Sequence, residues 1–288
     1  MNFSVDNIRL FTLNVGHAEH LADWNWQHVR SPFARLYYVT EGKAKVILHG
    51  NDDELVRLRA GHLYFIPPFM EHTDICSEPF SHYYIHVYED SLDGVNLLSD
   101  LEFPRELKAA DGDLNLFETL ANLNPFMRLE ASDPSSYDNH RTLMRNMSVN
   151  LQRELYNKME SRGILYILLS RFLRYAQPKS KITDKRIGQS LAFIREHITE
   201  RISMDMLAEQ ACMSKDHFIR RFKSETGVTP NAYITQRKIE RAELLLITTD
   251  LPVKEIADSL DFSDHAYFNR VFKNSIGCSP RQYRMQHI

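Results

Sequence analysis

The last third of the chain repeats itself, and no other feature constrains the fold as tightly. Phe218 and Phe268, Arg220 and Arg270, Phe222 and Phe272, and Lys223 and Lys273 are each 50 residues apart. The same offset relates Gly227 to Gly277, Pro230 to Pro280 and Tyr233 to Tyr283. The two segments read FIRRFKSETGVTPNAY and FNRVFKNSIGCSPRQY, so one supersecondary unit occurs twice. Each copy reads as a helix-turn-helix. In the first, a short helix over 204–210 leads to a turn over 211–213. Ser214 then caps a second helix over 215–226. In the second, a helix over 253–260 is followed by a turn at Asp261 and Phe262. Ser263 or Asp264 caps a helix that reaches about residue 275. Phe218 and Phe222, like Phe268 and Phe272, are four residues apart, so each pair shares a face and is expected to anchor its helix in the core.

The opposite face of each second helix carries the functional signal. It presents Asp216, Ile219, Arg220 and Lys223 in one unit. The other presents Ala266, Asn269, Arg270 and Lys273, with His265 alongside. Arg pairs bidentately with guanine and Asn with adenine, while Lys and Arg neutralise phosphate. One such face is ordinarily no more than a solvated surface. Two that match at Arg and Lys inside a duplication point to double-stranded DNA.

Charge and composition agree with this division of labour. The chain of 288 residues has room for about two domains, and its 43% apolar and 25% charged residues are ordinary for folded protein. The net charge of −3 hides an asymmetry: 183–288 carries 16 Lys and Arg against 14 Asp and Glu, whereas 1–182 carries 19 against 24. The longest apolar run, 164–169, is far short of a membrane span, and the first ten residues do not read as a signal peptide. Three cysteines without CxxC spacing suit a reducing cytoplasm and argue against a cysteine zinc site.

Up to about residue 100 the pattern is that of short strands. Segments 24–30, 35–41, 44–48, 55–58, 63–66 and 83–88 are separated by turn residues, as in an antiparallel sandwich or barrel. From about 113 the period becomes helical. Leu114, Phe117, Leu120 and Ala121 fit one face, and Leu143, Met147, Leu151 and Leu155 another. A broad stripe covers 164–173. The stretch 177–181, with Pro178, breaks the pattern and suggests that the C-terminal third folds independently.

Residues 186–286 resemble the DNA-binding domain of the AraC/XylS family of transcription regulators. The segments LAEQACMSKDHFIRRFKSETGVTPNAYITQRKIERAELLL and VKEIADSLDFSDHAYFNRVFKNSIGCSPRQYR carry the resemblance. It implies two helix-turn-helix units joined by a long helix over about 231–247, entering successive major grooves. By motif position the base-reading sites fall on Asp216, Ile219 and Arg220, then on His265, Asn269 and Arg270. The family's usual turn Gly is replaced by Asp261, a residue type that tolerates left-handed backbone better than most. Apolar Ile219 stands at a usually polar reading position, where it suits a thymine methyl.

The first hundred residues resemble, more loosely, the cupin-like sensor domain of the same family, through EGKAKVILHG and VRLRAGHLYFIPPFMEHTDI. Gly61, Pro67 and His72 fall on the second cupin motif, while Phe69 occupies a position often held by Gly. Metal-binding cupins carry His-x-His in a first motif, where this chain has Arg35-Leu36-Tyr37 and then Glu41. His72, His82 and His86 remain an alternative three-histidine set; otherwise His72 is a hydrogen-bonded residue at the barrel mouth. His82, Tyr84 and His86 share one strand face. The resemblance places Tyr84, His86 and Glu41 at an effector site. Trp24, Trp26, His28 and Arg30 share another face, read either as ligand-lining or as an aromatic core stripe or domain contact.

The expectation is therefore an α+β chain. An antiparallel cupin-like domain over 1–112 precedes a helical connector and dimerisation region over 113–177. A linker over 178–185 then leads to a double helix-turn-helix domain over 186–288. DNA contacts are expected from Asp216, Ile219, Arg220, Lys223, His265, Asn269, Arg270 and Lys273. Effector contacts are expected from Trp24, Trp26, Arg35, Tyr37, Glu41, His72, His82, Tyr84 and His86. The resemblance implies a homodimeric cytoplasmic regulator, acting with RNA polymerase as an activator. It would respond to a small carbohydrate, without a cofactor, resident metal or membrane. The rival readings are the same regulator without a small-molecule effector, and a metal-dependent cupin enzyme fused to a DNA-binding domain.

Overall fold

The computed structural model describes residues 5–50, 52–89, 96–179, 182–262 and 264–286. These form two compact units. One comprises Leu10–Asp90 and Leu101–Gln177. The other comprises Pro178–Gln286 together with stretches within 1–9 and 91–100.

The first unit is built on β1 (Leu10–Leu21), β2 (Trp26–Val29), β3 (Ala34–Leu48), β4 (Glu54–Arg59), β5 (His62–Ile66), β6 (His72–Ile75) and β7 (Pro79–Glu89). Strand β7 pairs antiparallel with β1 on one side and with β3 on the other. The long β3 serves both halves of the sheet: Arg35 to Tyr38 pair with β5, whereas Lys43 to Leu48 pair with β4 and β6. The bend between them requires Gly42, at φ +71°, because a Cβ there would collide with the Pro79 carbonyl. Trp24, Tyr37, Val39, Val46, Leu58 and Phe80 fill the interior. The expected alternation over 24–30 does not hold as one strand. Only Trp26–Val29 pairs, across an irregularity, and His28 turns to φ +55° and out to Glu71. Phe69 takes the left-handed φ of +62°.

A short helix, α1 (Leu97–Asp100), is followed by β8 (Leu101–Glu102) and by β9 (Glu106–Lys108), which pairs with β5. Helix α2 (Asp113–Leu123) buries Phe117, Leu120 and Ala121 as its periodicity requires. After α3 (Pro134–Tyr137) come α4 (His140–Gln152) and α5 (Leu155–Leu173). Ile164, Leu165, Leu168, Leu169 and Phe172 form the buried stripe of α5. The expected face through Leu143, Met147, Leu151 and Leu155 is interrupted, because Arg153 and Glu154 are extended. Leu143 is buried, but Leu151 and Leu155 stand exposed.

After β10 (Gln177–Pro178) the helical unit contains α6 (Lys185–Glu196), α7 (Met204–Gln210), α8 (Lys215–Thr226), α9 (Pro230–Thr248), α10 (Val253–Ser259), α11 (His265–Ile276) and α12 (Pro280–Gln286). The repeat is visible in its caps. Gly227 and Gly277 end α8 and α11 at φ +82° and +90°, and their N–H groups bond the carbonyls of Lys223 and Lys273. Pro230 and Pro280 then start the next helices. The second turn is one residue longer than the first. α7 and α10, like the turn residues Cys212 and Asp261, are offset by 49, whereas α8 and α11 are offset by 50. Asp261 has φ +53°, and Cys212 has the same φ. Asp264 caps α11 through Ala266 N; the alternative cap, Ser263, lies outside the described residues.

One element of this unit comes from far upstream. Asp100, almost fully buried, binds Arg195 on α6 at 3.5 Å and Arg237 on α9 at 3.2 Å. A unit beginning near residue 180 therefore lacks the carboxylate that partners a buried arginine, a dependence that the linker at Pro178 does not suggest. Removing one member of a buried pair leaves the other charge uncompensated at a cost of ~3–5 kcal/mol. Asp100→Ala is expected to lower the stability of the helical unit by about 3 kcal/mol in urea titrations of the full chain, and a chain truncated at 180 to show the same deficit. A loss below ~1 kcal/mol in both would contradict this role for Asp100.

Candidate functional site

A cavity of about 360 Å³ opens among β1, β3, β7 and the segment 129–137. This lies within the ~300–1,000 Å³ usual for small-molecule sites. Strand register explains it. Along β7, His82, Tyr84 and His86 point to one face; opposite them on β1 lie Ala18, Gly16 and Asn14. Ala18 lines the cavity, and glycine at 16 makes room for the Tyr84 ring, since a Cβ there would stand 2.5 Å from the Tyr84 hydroxyl. On the other side Val39, Tyr37 and Arg35 lie opposite the same three β7 residues.

Trp24, Tyr37, His82, Tyr84 and His86 all line the cavity. Arg35, Glu41, His72 and Trp26 lie outside its lining, contrary to expectation. Glu41 follows an irregularity in the β3–β7 ladder and lies four residues from Tyr37, ~13 Å along a strand. Arg35 is fully buried; it donates to Ser31 Oγ at 2.7 Å, stacks over Phe33 and approaches Asp138 at 4.0 Å. Ser31 in turn hydrogen-bonds Asp138. His72 is buried with its Nδ1 at the Met70 carbonyl, 3.1 Å away, and burial holds its pKa down at about 3. Beside it burial raises Asp74 to about 7, despite Arg35. Trp26 packs against the interior cluster from its edge. Among the described residues no three His, Cys, Asp or Glu converge at metal-ligand spacing.

Several lining residues carry no flag in the sequence: His17, Glu19, His20 and Asp23 from β1 and its end, and Tyr137 with the stretch 129–132. His20 is legible in principle. It continues the period-two series Asn14, Gly16, Ala18 that faces the aromatic side of β7. The stretch 129–132 is not, since only the fold brings Leu129 N to within 2.7 Å of the Tyr84 hydroxyl.

The interior is uncharged and its rim acidic. Burial holds His82 and His86 well below the usual histidine range and lowers His20, against the pull of Asp23. Burial pushes Tyr84 and Tyr137 up to about 12. Glu19, Asp23 and Glu130 stand at the rim; among the described residues no Lys or Arg belongs to the lining, while Arg128 lies next to it and its charge acts on Tyr84. Four buried histidines, His20, His72, His82 and His86, thus resist protonation that the unfolded chain accepts. The unfolded state binds more protons below about pH 6.5, so stability falls on acidification; Asp74, with its raised pKa, opposes this with one group against four. Urea titrations of the full chain are expected to show the strand unit losing stability from pH 7.5 to 5.5, each histidine contributing up to ~1.4 kcal/mol per pH unit. Equal or greater stability at pH 5.5 would contradict the assignment.

The second surface of interest is carried by α8 and α11. Phe218, Phe222, Phe268 and Phe272 are fully buried, while Asp216, Arg220, Lys223, Asn269, Arg270 and Lys273 are exposed. Ile219 is half-buried and packs partly on the unit's core. His265 is held 2.7 Å from Asp258 of α10, and Asn269 Nδ2 donates to the His265 carbonyl. Arg270 lies over the Tyr267 ring at 5.5 Å, and Arg220 Nε is 3.4 Å from the Asp216 carbonyl. Neither guanidinium is committed to a carboxylate in these contacts. Arg221, by contrast, is tied to Asp184 and Glu225 and braces α8 against α6.

Residues 14–138 match the AraC-like ligand binding domain, and residues 207–286 match a helix-turn-helix domain. The chain belongs to the AraC/XylS family of transcription regulators. Among curated members, the xylose operon regulatory protein of Escherichia coli strain K12 is 34% identical over 103 residues, covering 36% of this chain and 26% of that protein. The HTH-type transcriptional activator RhaS of Escherichia coli O139:H28 is 29% identical over 179 residues, covering 58% of this chain and 64% of its own length. The chain thus spans between a quarter and two thirds of these family members. A solved DNA-binding domain of AdpA, a global transcriptional factor in complex with a target DNA, is 32% identical over 35% of this chain and 90% of that domain, with a TM-score of 0.34.

Proposed function

We propose that the protein is a sequence-specific DNA-binding transcription regulator that responds to a small molecule held in the cavity of its strand unit. The duplicated helix-turn-helix carries this reading, with Arg220 and Lys223 on one recognition helix repeated as Arg270 and Lys273 on the other. Recognition helices present such residues to base edges and phosphates in the major groove. Because Ile219 packs partly inward and Asp258 holds His265, Arg220, Asn269 and Arg270 are the principal candidates for base contacts.

The cavity suits an uncharged polyhydroxylated ligand, a carbohydrate. The rings of Trp24, Tyr37, Tyr84 and Tyr137 offer faces for stacking, and neutral histidines both donate and accept hydrogen bonds. Three carboxylates in the lining, Glu19, Asp23 and Glu130, against the single neighbouring cation Arg128, disfavour phosphorylated or carboxylated ligands. Ligand binding regulates by favouring one arrangement of the protein over another, through its differential affinity. Leu151, Leu155, Tyr156 and Met159 leave an exposed apolar patch where α4 meets α5, which supports pairing with a second copy. In this reading the protein is a cytoplasmic homodimer without catalytic activity of its own, acting on RNA polymerase at its promoters. Among the described residues no helix is long and apolar enough to cross a membrane.

Arg220→Ala and Arg270→Ala test the reading on an operator selected in vitro by the full chain. Each is expected to weaken specific binding by ~1–3 kcal/mol and to relax the preference at one base pair. Unchanged affinity in both variants, with helicity intact, would overturn the base-reading role.

A further inference from the structure

A buried chain of side-chain amides leads from the cavity to α4. His86 lines the cavity, and its Nδ1 lies 3.2 Å from Asn14 Nδ2. Asn14 Oδ1 lies 3.0 Å from Asn146 Nδ2, which also lies 2.9 Å from the Leu13 carbonyl. All three side chains are at least 97% buried. The direction of every bond follows from the last one. A backbone carbonyl only accepts, so the Asn146 atom facing Leu13 must be its NH₂ group. That group's second proton goes to an acceptor, which fixes the neighbouring Asn14 atom as oxygen. The Asn14 NH₂ group then faces His86 Nδ1 and donates to it. A ring nitrogen that accepts carries no proton, so neutral His86 keeps its proton on Nε2, the nitrogen left for the cavity.

We propose that Asn14 and Asn146 form a positioning pair that sets His86 as an N–H donor to the ligand and carries occupancy of the cavity to helix α4. The pair touches no ligand itself. Tyr84 is set the same way: its hydroxyl accepts from Leu129 N at 2.7 Å, which leaves its proton to donate. Two neighbouring groups on β7 therefore both offer donors, and the ligand must present acceptor oxygens to them. A ligand that turns or displaces His86 disturbs the bond to Asn14, and with it the register of α4 against β1, because Asn146 holds both. Helix α4 leads directly into the exposed apolar patch at Leu151 and Leu155. The inference rests on the reading of the cavity as the effector site.

Two measurements on the full chain decide it. In ligand-free protein with ¹⁵N-labelled histidine, the ring correlations of His86 are expected to show the Nε2–H tautomer at pH 7. Asn146→Leu and Asn146→Ser, which free the Asn14 amide to turn over, are expected to introduce the Nδ1–H form. An Nδ1–H tautomer in the parent, or an unchanged pattern in both variants, would overturn the pair's role. The second measurement titrates a panel of neutral pentoses and hexoses. A sugar that shifts the His82 and His86 signals of the parent is then added to saturation in DNA-binding assays. Its effect on DNA affinity is expected to fall at least threefold in the Asn146 variants, while their sugar-free DNA affinity stays at the parental level. A full sugar response in folded variants would overturn transmission through Asn146. If no sugar moves those signals, the carbohydrate reading of the cavity fails instead, and the tautomer experiment still decides whether the pair orients His86.

Discussion

Helix α9 is the constraint on which the helical unit depends. It runs between the two helix-turn-helix units, and its buried positions, among them Ile239, Ala242, Leu246 and Ile247, leave little freedom to either side. Each recognition helix ends in the same device, a left-handed glycine and a proline that starts the next helix. The Phe pairs fix the rotation of α8 and α11 about their axes. With the aromatic face committed to the core, Arg220 and Arg270 have no alternative to solvent or a ligand. Asp100 extends this scaffold by holding α6 and α9 through two arginines.

In the strand unit the comparable constraint is the inner face of β7. Three rings at period two face Ala18, Gly16 and Asn14 on β1: glycine makes room for the Tyr84 ring, and all three rings line the cavity. The same burial that shapes it removes charge from its histidines. A polar, uncharged interior is therefore a consequence of packing, and an interior of this kind selects by hydrogen-bond direction and ring stacking rather than by net charge.

Legibility in the sequence tracks the range of the forces involved. The repeat, the helix starts and ends over 204–276, and the shared face of His82, Tyr84 and His86 are local patterns, and the structure contains them. The left-handed turn at Asp261 follows from the resemblance, whereas Cys212, with the same φ, belongs to a residue type that gives no such signal. The misplaced residues depend on distant partners. Motif position assigns Glu41 to the site, but an irregularity in the ladder with β7 shifts it away. The helical face through Leu151 and Leu155 crosses a break at Arg153 that periodicity does not reveal. Asp100 joins residues 95 and 137 positions away, and no local pattern announces such a partner.

The central claim is that both recognition helices read DNA. Footprinting of the full chain on an operator selected in vitro tests it most directly. The account predicts two protected major-groove segments per protomer, about one helical turn or ~10 bp apart. Protection of a single segment would contradict it and would leave one of the two units, α7–α8 or α10–α11, as scaffold.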